Sequence, residues 1–167
     1  MCIRDSNKRA FFLKEIIAKI NEKNQYNQIL IDCPPSLSLL TIIALVASNT
    51  VIIPLQTEFF ALEGVSQLIK TIERVKQNLN TDLDIQGVIL TMYDKRNKLC
   101  SQVEGEARRY FENKVYKSVI PRNVRISEAP SHGLPVIEYD KNCTGTLAYE
   151  NLAKEVLDQY NNNSFAA

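Results

Sequence analysis

The stretch Ile29-Leu30-Ile31-Asp32-Cys33-Pro34-Pro35-Ser36 decides the fold class. Three aliphatic residues end in a carboxylate, with the polar turn Asn21–Gln28 before them and two prolines after. A short, wholly apolar run bounded by turn signals suits a strand buried on both faces of a parallel sheet. The prolines stop any regular continuation, because each fixes φ and lacks an N–H. Ser36 then stands where its hydroxyl caps a helix running from Leu37 to about Ser48.

Upstream, Leu13, Ile16, Ile17 and Ile20 recur at helical spacing with Lys14, Glu15 and Lys19 between them, an amphipathic helix over Asn7–Lys23. Residues 1–6, Met1-Cys2-Ile3-Arg4-Asp5-Ser6, fit neither a helix start nor a strand. They read like the translated end of a transposon adapter used to tag sequencing libraries, so native sequence is expected to begin near Asn7 and the reading frame to run further upstream. Downstream, strands are expected at Thr50–Leu55, Ile85–Met92 and Val115–Ile120, and helices at Glu58–Asn78, Leu99–Glu112 and Thr146–Tyr160. On the first two of these helices Leu62, Val65, Leu68, Ile69, Ile72 and Val75, and then Val103, Ala107 and Phe111, mark the inward faces. Pro121–Leu134 reads as a polar loop, Pro135-Val136-Ile137 as a short edge strand, and 161–167 as a frayed tail. Strands alternating with helices imply βαβ units. The fold class is therefore α/β, a three-layer α/β/α arrangement with a mostly parallel sheet, in one domain over 7–160 with no dividing linker.

Bulk composition narrows the function less. The 167 residues are 45% hydrophobic and 23% charged, ordinary for a globular chain. No apolar run reaches the roughly 18 residues of a membrane span, and the N-terminus lacks the apolar core of a secretory signal. The net charge of +1 means that any nucleic-acid contact must be local. Cys2, Cys33, Cys100 and Cys143 form no CxxC pair, and the single histidine, His132, completes no zinc pattern; reduced cytosolic thiols are expected.

In a parallel sheet flanked by helices, ligands bind beyond the C-terminal strand ends. Those ends are Asp32, Gln56–Glu58, Thr91–Asp94 and Pro121–Asn123. Ile29-Leu30-Ile31-Asp32 has the form of a Walker B strand, whose carboxylate holds the water shell of a Mg²⁺ beside a nucleotide. On the bare pattern, an Asp that merely caps the next turn is the commoner outcome; the rarer Cys33-Pro34-Pro35-Ser36 shifts the reading.

Ile31-Asp32-Cys33-Pro34-Pro35-Ser36-Leu37 resembles the Walker B and switch segment of the ParA/Soj family of deviant-Walker partitioning ATPases. The resemblance continues through Ile53-Pro54-Leu55-Gln56, Glu58-Phe59-Phe60-Ala61-Leu62-Glu63-Gly64 and Leu90-Thr91-Met92-Tyr93-Asp94. Its most distinctive stretch is Val119 to Gly133, and Val136-Ile137-Glu138-Tyr139-Asp140 closes it. It covers the chain from about Tyr26 to Val156. What it implies is a P-loop NTPase-like fold and an ATPase that uses ATP and Mg²⁺. It also implies homodimerisation on ATP binding, non-specific binding of double-stranded DNA, release stimulated by a ParB-like centromere-binding protein, no membrane, and a cytoplasmic, nucleoid-associated location.

The chain departs from that family in one respect. No GxxxxGK[ST] occurs, and the backbone cradle and lysine that hold the phosphates are missing with it. The chain is thus expected to be N-terminally incomplete, inactive in ATP hydrolysis by itself, and poorly soluble or molten, since a sheet lacking its central strand leaves backbone groups unpaired.

The Walker B form, reinforced by the resemblance, assigns Asp32 to the metal, through water; Met92 and Pro121, which end neighbouring strands, are expected on the adenine side of the nucleotide, flanking the base through apolar contact and backbone bonds. The resemblance assigns Arg96 and Arg125 to DNA; Lys95, Lys98, Lys117 and Arg122, which the resemblance does not carry, are further candidates to widen the patch. Arginine suits phosphate because its planar fork bonds two oxygens. Taken by themselves the arginines also fit solvated surface charges, and Met92 fits ordinary core. His132 reads as a loop hydrogen-bonding residue, Cys33 as small and buried, and Glu58 and Glu63 as acidic residues at a helix start. Two alternatives stay open. One is a MinD-like membrane-associated ATPase, against which Leu152–Tyr160 lacks a basic face; the other is a non-catalytic DNA- or partner-binding remnant. An iron–sulfur reductase is discounted because Cys100 and Cys143 show no supporting pattern.

Overall fold

Helix α1 (Ile3–Asn21) turns Ala10, Leu13, Ile17 and Ile20 inward and leaves Ile16 exposed, so the apolar stripe is narrower than its residue types suggest. The structure, a computed structural model, describes residues 3–22, 26–34, 36 and 38–164. Expectations for Cys2, Pro35, Leu37 and the end of the tail fall outside these residues. The chain divides into two compact units, Met1–Val51 with Gly64–Gln86, and Ile52–Glu63 with Gly87–Ala167.

In the first unit α1 packs on α2 (Leu39–Ala47), an almost wholly apolar helix that buries Thr41, Ala44, Leu45 and Val46. This helix starts later than the sequence implies. Ser38, not Ser36, holds the N-cap position, and its side chain makes no cap bond; the carbonyl of Ser36 instead accepts from the Thr41 hydroxyl. Most of α3 (Ala61–Asn78) lies here, and Val65, Ile69, Ile72 and Val75 are its buried stripe at the expected 3.6-residue period. Asn80 is buried and donates to the carbonyls of Leu45 (3.0 Å) and Ser48 (2.7 Å), satisfying the end of α2.

The expected strand at Ile29–Asp32 does not form. These residues have no regular structure, and Leu30 is 88% exposed. A strand exists only by pairing, and among the described residues no neighbour pairs with this run.

The second unit holds the sheet, three strands in the order β1–β2–β3, where β1 is Thr50–Gln56, β2 is Asp84–Tyr93 and β3 is Val115–Pro121. The first residues of β1 and β2 belong to the other unit. β2 and β3 are parallel, with Val88 opposite Val115, Leu90 opposite Val119 and Tyr93 opposite Pro121, and with register irregularities between these pairs. The α4 helix (Lys98–Phe111), capped by the Asn97 side chain on Leu99 N, buries Cys100, Val103, Ala107 and Phe111. On the other side of the chain order, α7 (Thr144–Ser164) lies on β3; Leu152 joins Tyr116 and Ile120 in a core that Ile52, Ile89, Ile126, Ala148 and Val156 complete. The α7 helix runs past its expected end at Tyr160.

Two expectations after β3 are corrected. The supposed loop from Pro121 contains α5 (Val124–Glu128), whose N-terminus is capped by Asn123 Oδ1 accepting from Arg125 N at 2.7 Å, and a 3-10 turn over Ala129–His132. The supposed edge strand at Pro135–Ile137 is a short helix, α6 (Val136–Tyr139), because Pro135 O accepts from the N–H groups of Glu138 and Tyr139. Its β-branched residues favour a strand, but local i→i+3 and i→i+4 bonds satisfy this backbone without one.

Candidate functional site

The C-terminal ends of β2 and β3 open onto a cavity of about 710 Å³ in the second unit. β2 contributes Tyr93 and the following Asp94, Lys95 and Arg96; β3 contributes Ser118, Val119 and Pro121, then Arg122, Asn123 and Val124. The first turns of α7 form the remaining wall through Thr144, Leu147, Ala148 and Asn151. Gly145 shapes that wall: a Cβ there would lie 2.6 Å from Ile126 Cγ1, so a larger residue would force the Ile126 side chain to shift. The two strand ends are tied together where Arg122 N donates to Tyr93 O at 3.0 Å. Asn123 adds a second tie, its Nδ2 donating to Thr144 Oγ1 at 2.8 Å.

Charge is arranged around an apolar floor. Val119, Pro121, Val124, Leu147 and Ala148 supply the apolar atoms, and Lys95, Arg96 and Arg122 supply cations. Arg96 is clipped to Asp94: its backbone N–H donates to Oδ1 at 3.0 Å, its Nε to Oδ1 at 3.1 Å and its Nη2 to Oδ2 at 3.2 Å. The hydrogen bond from the Arg96 guanidinium, helped by its backbone N–H, holds the Asp94 carboxyl below the usual range. Deeper in, Tyr93 OH donates to Glu104 Oε2 at 2.6 Å, and Arg108 Nε donates to Glu104 Oε1 at 2.9 Å. The Tyr93 bond first, with Arg108 behind it, lowers the Glu104 carboxyl despite opposing burial; the same bond raises the Tyr93 phenol. A concave site of this size, lined by apolar side chains and by Lys95, Arg96 and Arg122, suits a partly apolar ligand that carries negative charge.

Of the residues singled out from sequence, the cavity gathers Pro121, Lys95, Arg96 and Arg122. Met92 does not line it. That residue sits at φ 54, a strained position for an unbranched bulky side chain, and its carbonyl accepts from the buried Thr57 hydroxyl at 3.2 Å. Lys98 opens α4 and Arg125 lies in α5, both outside the lining. Asp32 is exposed in the first unit.

A protein-family model described as an AAA domain matches residues 1–85. The chromosome partitioning protein ParA of Caulobacter vibrioides (strain NA1000 / CB15N) is 53% identical over 152 residues, 91% of this chain and 57% of that protein. The sporulation initiation inhibitor protein Soj of Bacillus subtilis (strain 168) is 60% identical over 134 residues, 80% of this chain and 53% of that protein. This chain belongs to the ParA/Soj family of AAA-domain proteins. It spans a little over half the length of these curated relatives. Among solved structures, cobyrinic acid a,c-diamide synthase from Mycobacterium smegmatis with bound ATP analog and magnesium matches with a TM-score of 0.75 at 32% identity, covering 91% of this chain and 55% of that one. The fold is accordingly an α/β P-loop NTPase fold.

No group of three His, Cys, Asp or Glu side chains among the described residues is arranged to hold an ion. Mg²⁺ typically takes one or two carboxylates with water and substrate phosphates rather than an all-protein cage. Asp32, a single exposed carboxylate, has the donor chemistry that such a site uses. The α7 lining and the Glu104–Arg108 pair behind Tyr93 were not read from sequence, whereas Tyr93 and Asn123 stand at strand ends singled out there. The capping role of Asn123, two positions before Arg125, also had a local signal; the α7 lining depends on which helix lies on β3, and the Glu104–Arg108 pair on how α4 meets Tyr93.

Proposed function

We propose that this chain works within an ATP-dependent DNA-partitioning ATPase. In its complete form the protein binds ATP with Mg²⁺, closes into a homodimer and holds double-stranded DNA without sequence preference. A ParB-like centromere-binding protein is its partner, and it acts at the nucleoid in the cytoplasm. The observation that carries this reading is the cavity, which sets Pro121 and an apolar floor beside Lys95, Arg96 and Arg122 at the strand ends of a P-loop NTPase fold. Kinship with proteins named for chromosome partitioning supports it.

In that reading Pro121 and the floor take the base side of the nucleotide, and Met92 acts through its backbone position rather than by lining the site. Asp32 orders the water shell of the Mg²⁺. Arg96 and Arg125, with Lys95, Lys98, Lys117 and Arg122 beside them, meet the DNA phosphates. A membrane-gripping role has less support: α7 carries a single basic residue, Lys154, along its whole length, and no helix among the described residues is long and apolar enough to cross a membrane.

The test is duplex binding by the complete protein with and without ATP, across a salt series. Binding should require ATP, and Arg96→Ala or Arg125→Ala should each reduce the slope of log affinity against log salt by about 1. Unchanged slopes in both variants, or equal binding without nucleotide, would refute the reading.

A further inference from the structure

Arg125 is already engaged by two carboxylates. Its Nη1 donates to Glu128 Oε2 at 3.0 Å, and its Nε lies 3.5 Å from Asp140 Oδ2. The acids come from different elements: Glu128 ends α5, and Asp140 directly follows α6. Each acid is itself held. Tyr139 OH donates to the same Glu128 Oε2 at 3.4 Å, and the Tyr139 ring is stacked on His132 with centroids 4.9 Å apart. Asp140 Oδ1 accepts from Asn142 N at 3.1 Å, and its carbonyl accepts from the buried Thr146 hydroxyl at 2.7 Å. One guanidinium between two carboxylates makes the cluster formally negative, yet its side chain is still about half exposed.

We propose that Glu128 and Asp140 are specificity-determining residues for polyanion binding at Arg125. Their oxygens stand where phosphate oxygens would bond, and the same charge-assisted geometry serves both. An isolated phosphate must displace two tethered carboxylates with one dianion in competition with water, and exposed ion pairs of this kind are weak but local. A duplex brings a line of closely spaced charges and releases counterions as it docks, so it displaces the acids where a free phosphate does not. This inference rests on Arg125 being a DNA contact.

The test is a double-mutant cycle in the complete ATP-bound protein, read as anisotropy of a labelled random-sequence duplex. The variants are Arg125→Ala, the pair Glu128→Gln with Asp140→Asn, and all three together. The amides keep an oxygen for Tyr139 and Asn142 while removing charge; Glu128→Gln alone serves if the pair disturbs folding. The neutralised pair should bind DNA about tenfold tighter at low salt, from two like charges removed within reach of the phosphates. Arg125→Ala should then cost at least about threefold more affinity in the neutralised background than in the unmodified one. Equal penalties in the two backgrounds would mean that the acids act only through their general field, and a smaller penalty in the neutralised background would mean that they orient Arg125 for DNA. Either result overturns the proposal. No penalty in either background would instead remove Arg125 from the DNA surface, and with it the reading on which the proposal stands.

Discussion

Glu155 offers the sharpest test of how the cavity wall is held. Its Oε1 accepts from Lys117 N at 2.7 Å and its Oε2 from Ser118 N at 2.9 Å, two consecutive amides of β3 in the stretch where its register with β2 is irregular. In the described sheet β3 is an edge, and in a regular edge strand only alternate N–H groups face outward; the irregular register here lets both meet one carboxylate from α7. A hydrogen bond to a charged acceptor contributes about 1.5–3 kcal/mol. The group is half-buried and water can replace part of the loss, so Glu155→Ala should cost about 2–3 kcal/mol for the pair. In local opening that is a fall of about 30- to 150-fold in amide protection at Lys117 and Ser118. Glu155→Gln keeps one neutral acceptor and should cost about 1 kcal/mol, or roughly fivefold. Burial alone would raise the Glu155 carboxyl, but the two backbone N–H groups outweigh it and bring it below its ordinary 4.5. A depressed carboxyl contributes stability that is present above pH 4.5 and lost as pH falls through the folded value. The parent and Glu155→Gln should therefore converge in acid. Hydrogen exchange resolved to single amides, expressed as protection factors at neutral and acidic pH, checks both statements. A change under about threefold in Glu155→Ala, or a Glu155→Gln difference that persists undiminished in acid, would refute the reasoning.

Three further outcomes follow from buried contacts. Asn80→Ala in the complete protein should cost about 2–3 kcal/mol, because the carbonyls of Leu45 and Ser48 lose their donor inside the fold; urea denaturation would show a lower midpoint at unchanged slope. Gly87→Ala places a Cβ against the Tyr116 ring, with Cζ only 2.7 Å away, and should cost about 1–3 kcal/mol; Tyr116→Leu in the same chain should recover part of that loss, whereas Tyr116→Phe, which keeps the colliding ring carbons, should not. Tyr93→Phe removes the main group lowering the Glu104 carboxyl, so an NMR titration should find Glu104 moved upward toward its ordinary range, and no movement would count against that bond.

Much of the chain was legible from local pattern. The stripes Val65–Ile69–Ile72–Val75 and Val103–Ala107–Phe111 repeat at the helical period and are buried as expected. Thr50–Gln56, Asp84–Tyr93 and Val115–Pro121 lie within a residue or two of their expected limits, because each apolar run is bounded by turn residues. Family kinship was legible too, since it rests on ordered short motifs rather than on geometry. The cavity was legible only in part. Pro121, Lys95, Arg96 and Arg122 follow strand ends that the alternation of elements already placed, whereas Met92, also at a strand end, keeps out of the lining.

By itself, then, the sequence determined the periods, the order of strands and helices and the residues at the strand tips, all properties of near neighbours in the chain. Tertiary structure decided what depends on partners distant in sequence. Ile29-Leu30-Ile31 has every local feature of a strand and none of the pairing, so it takes no regular structure and leaves Ile29 and Leu30 exposed. Val136-Ile137 has the composition of a strand yet becomes a helical turn whose own bonds are local, Pro135 O accepting from Glu138 N and Tyr139 N, because no strand lies beside it in the described sheet. Arg125 has the chemistry of a phosphate ligand, and the fold brings two carboxylates to it first. In each case the side chains are the same in either state; what differs is which hydrogen-bond or charge partner the rest of the chain delivers.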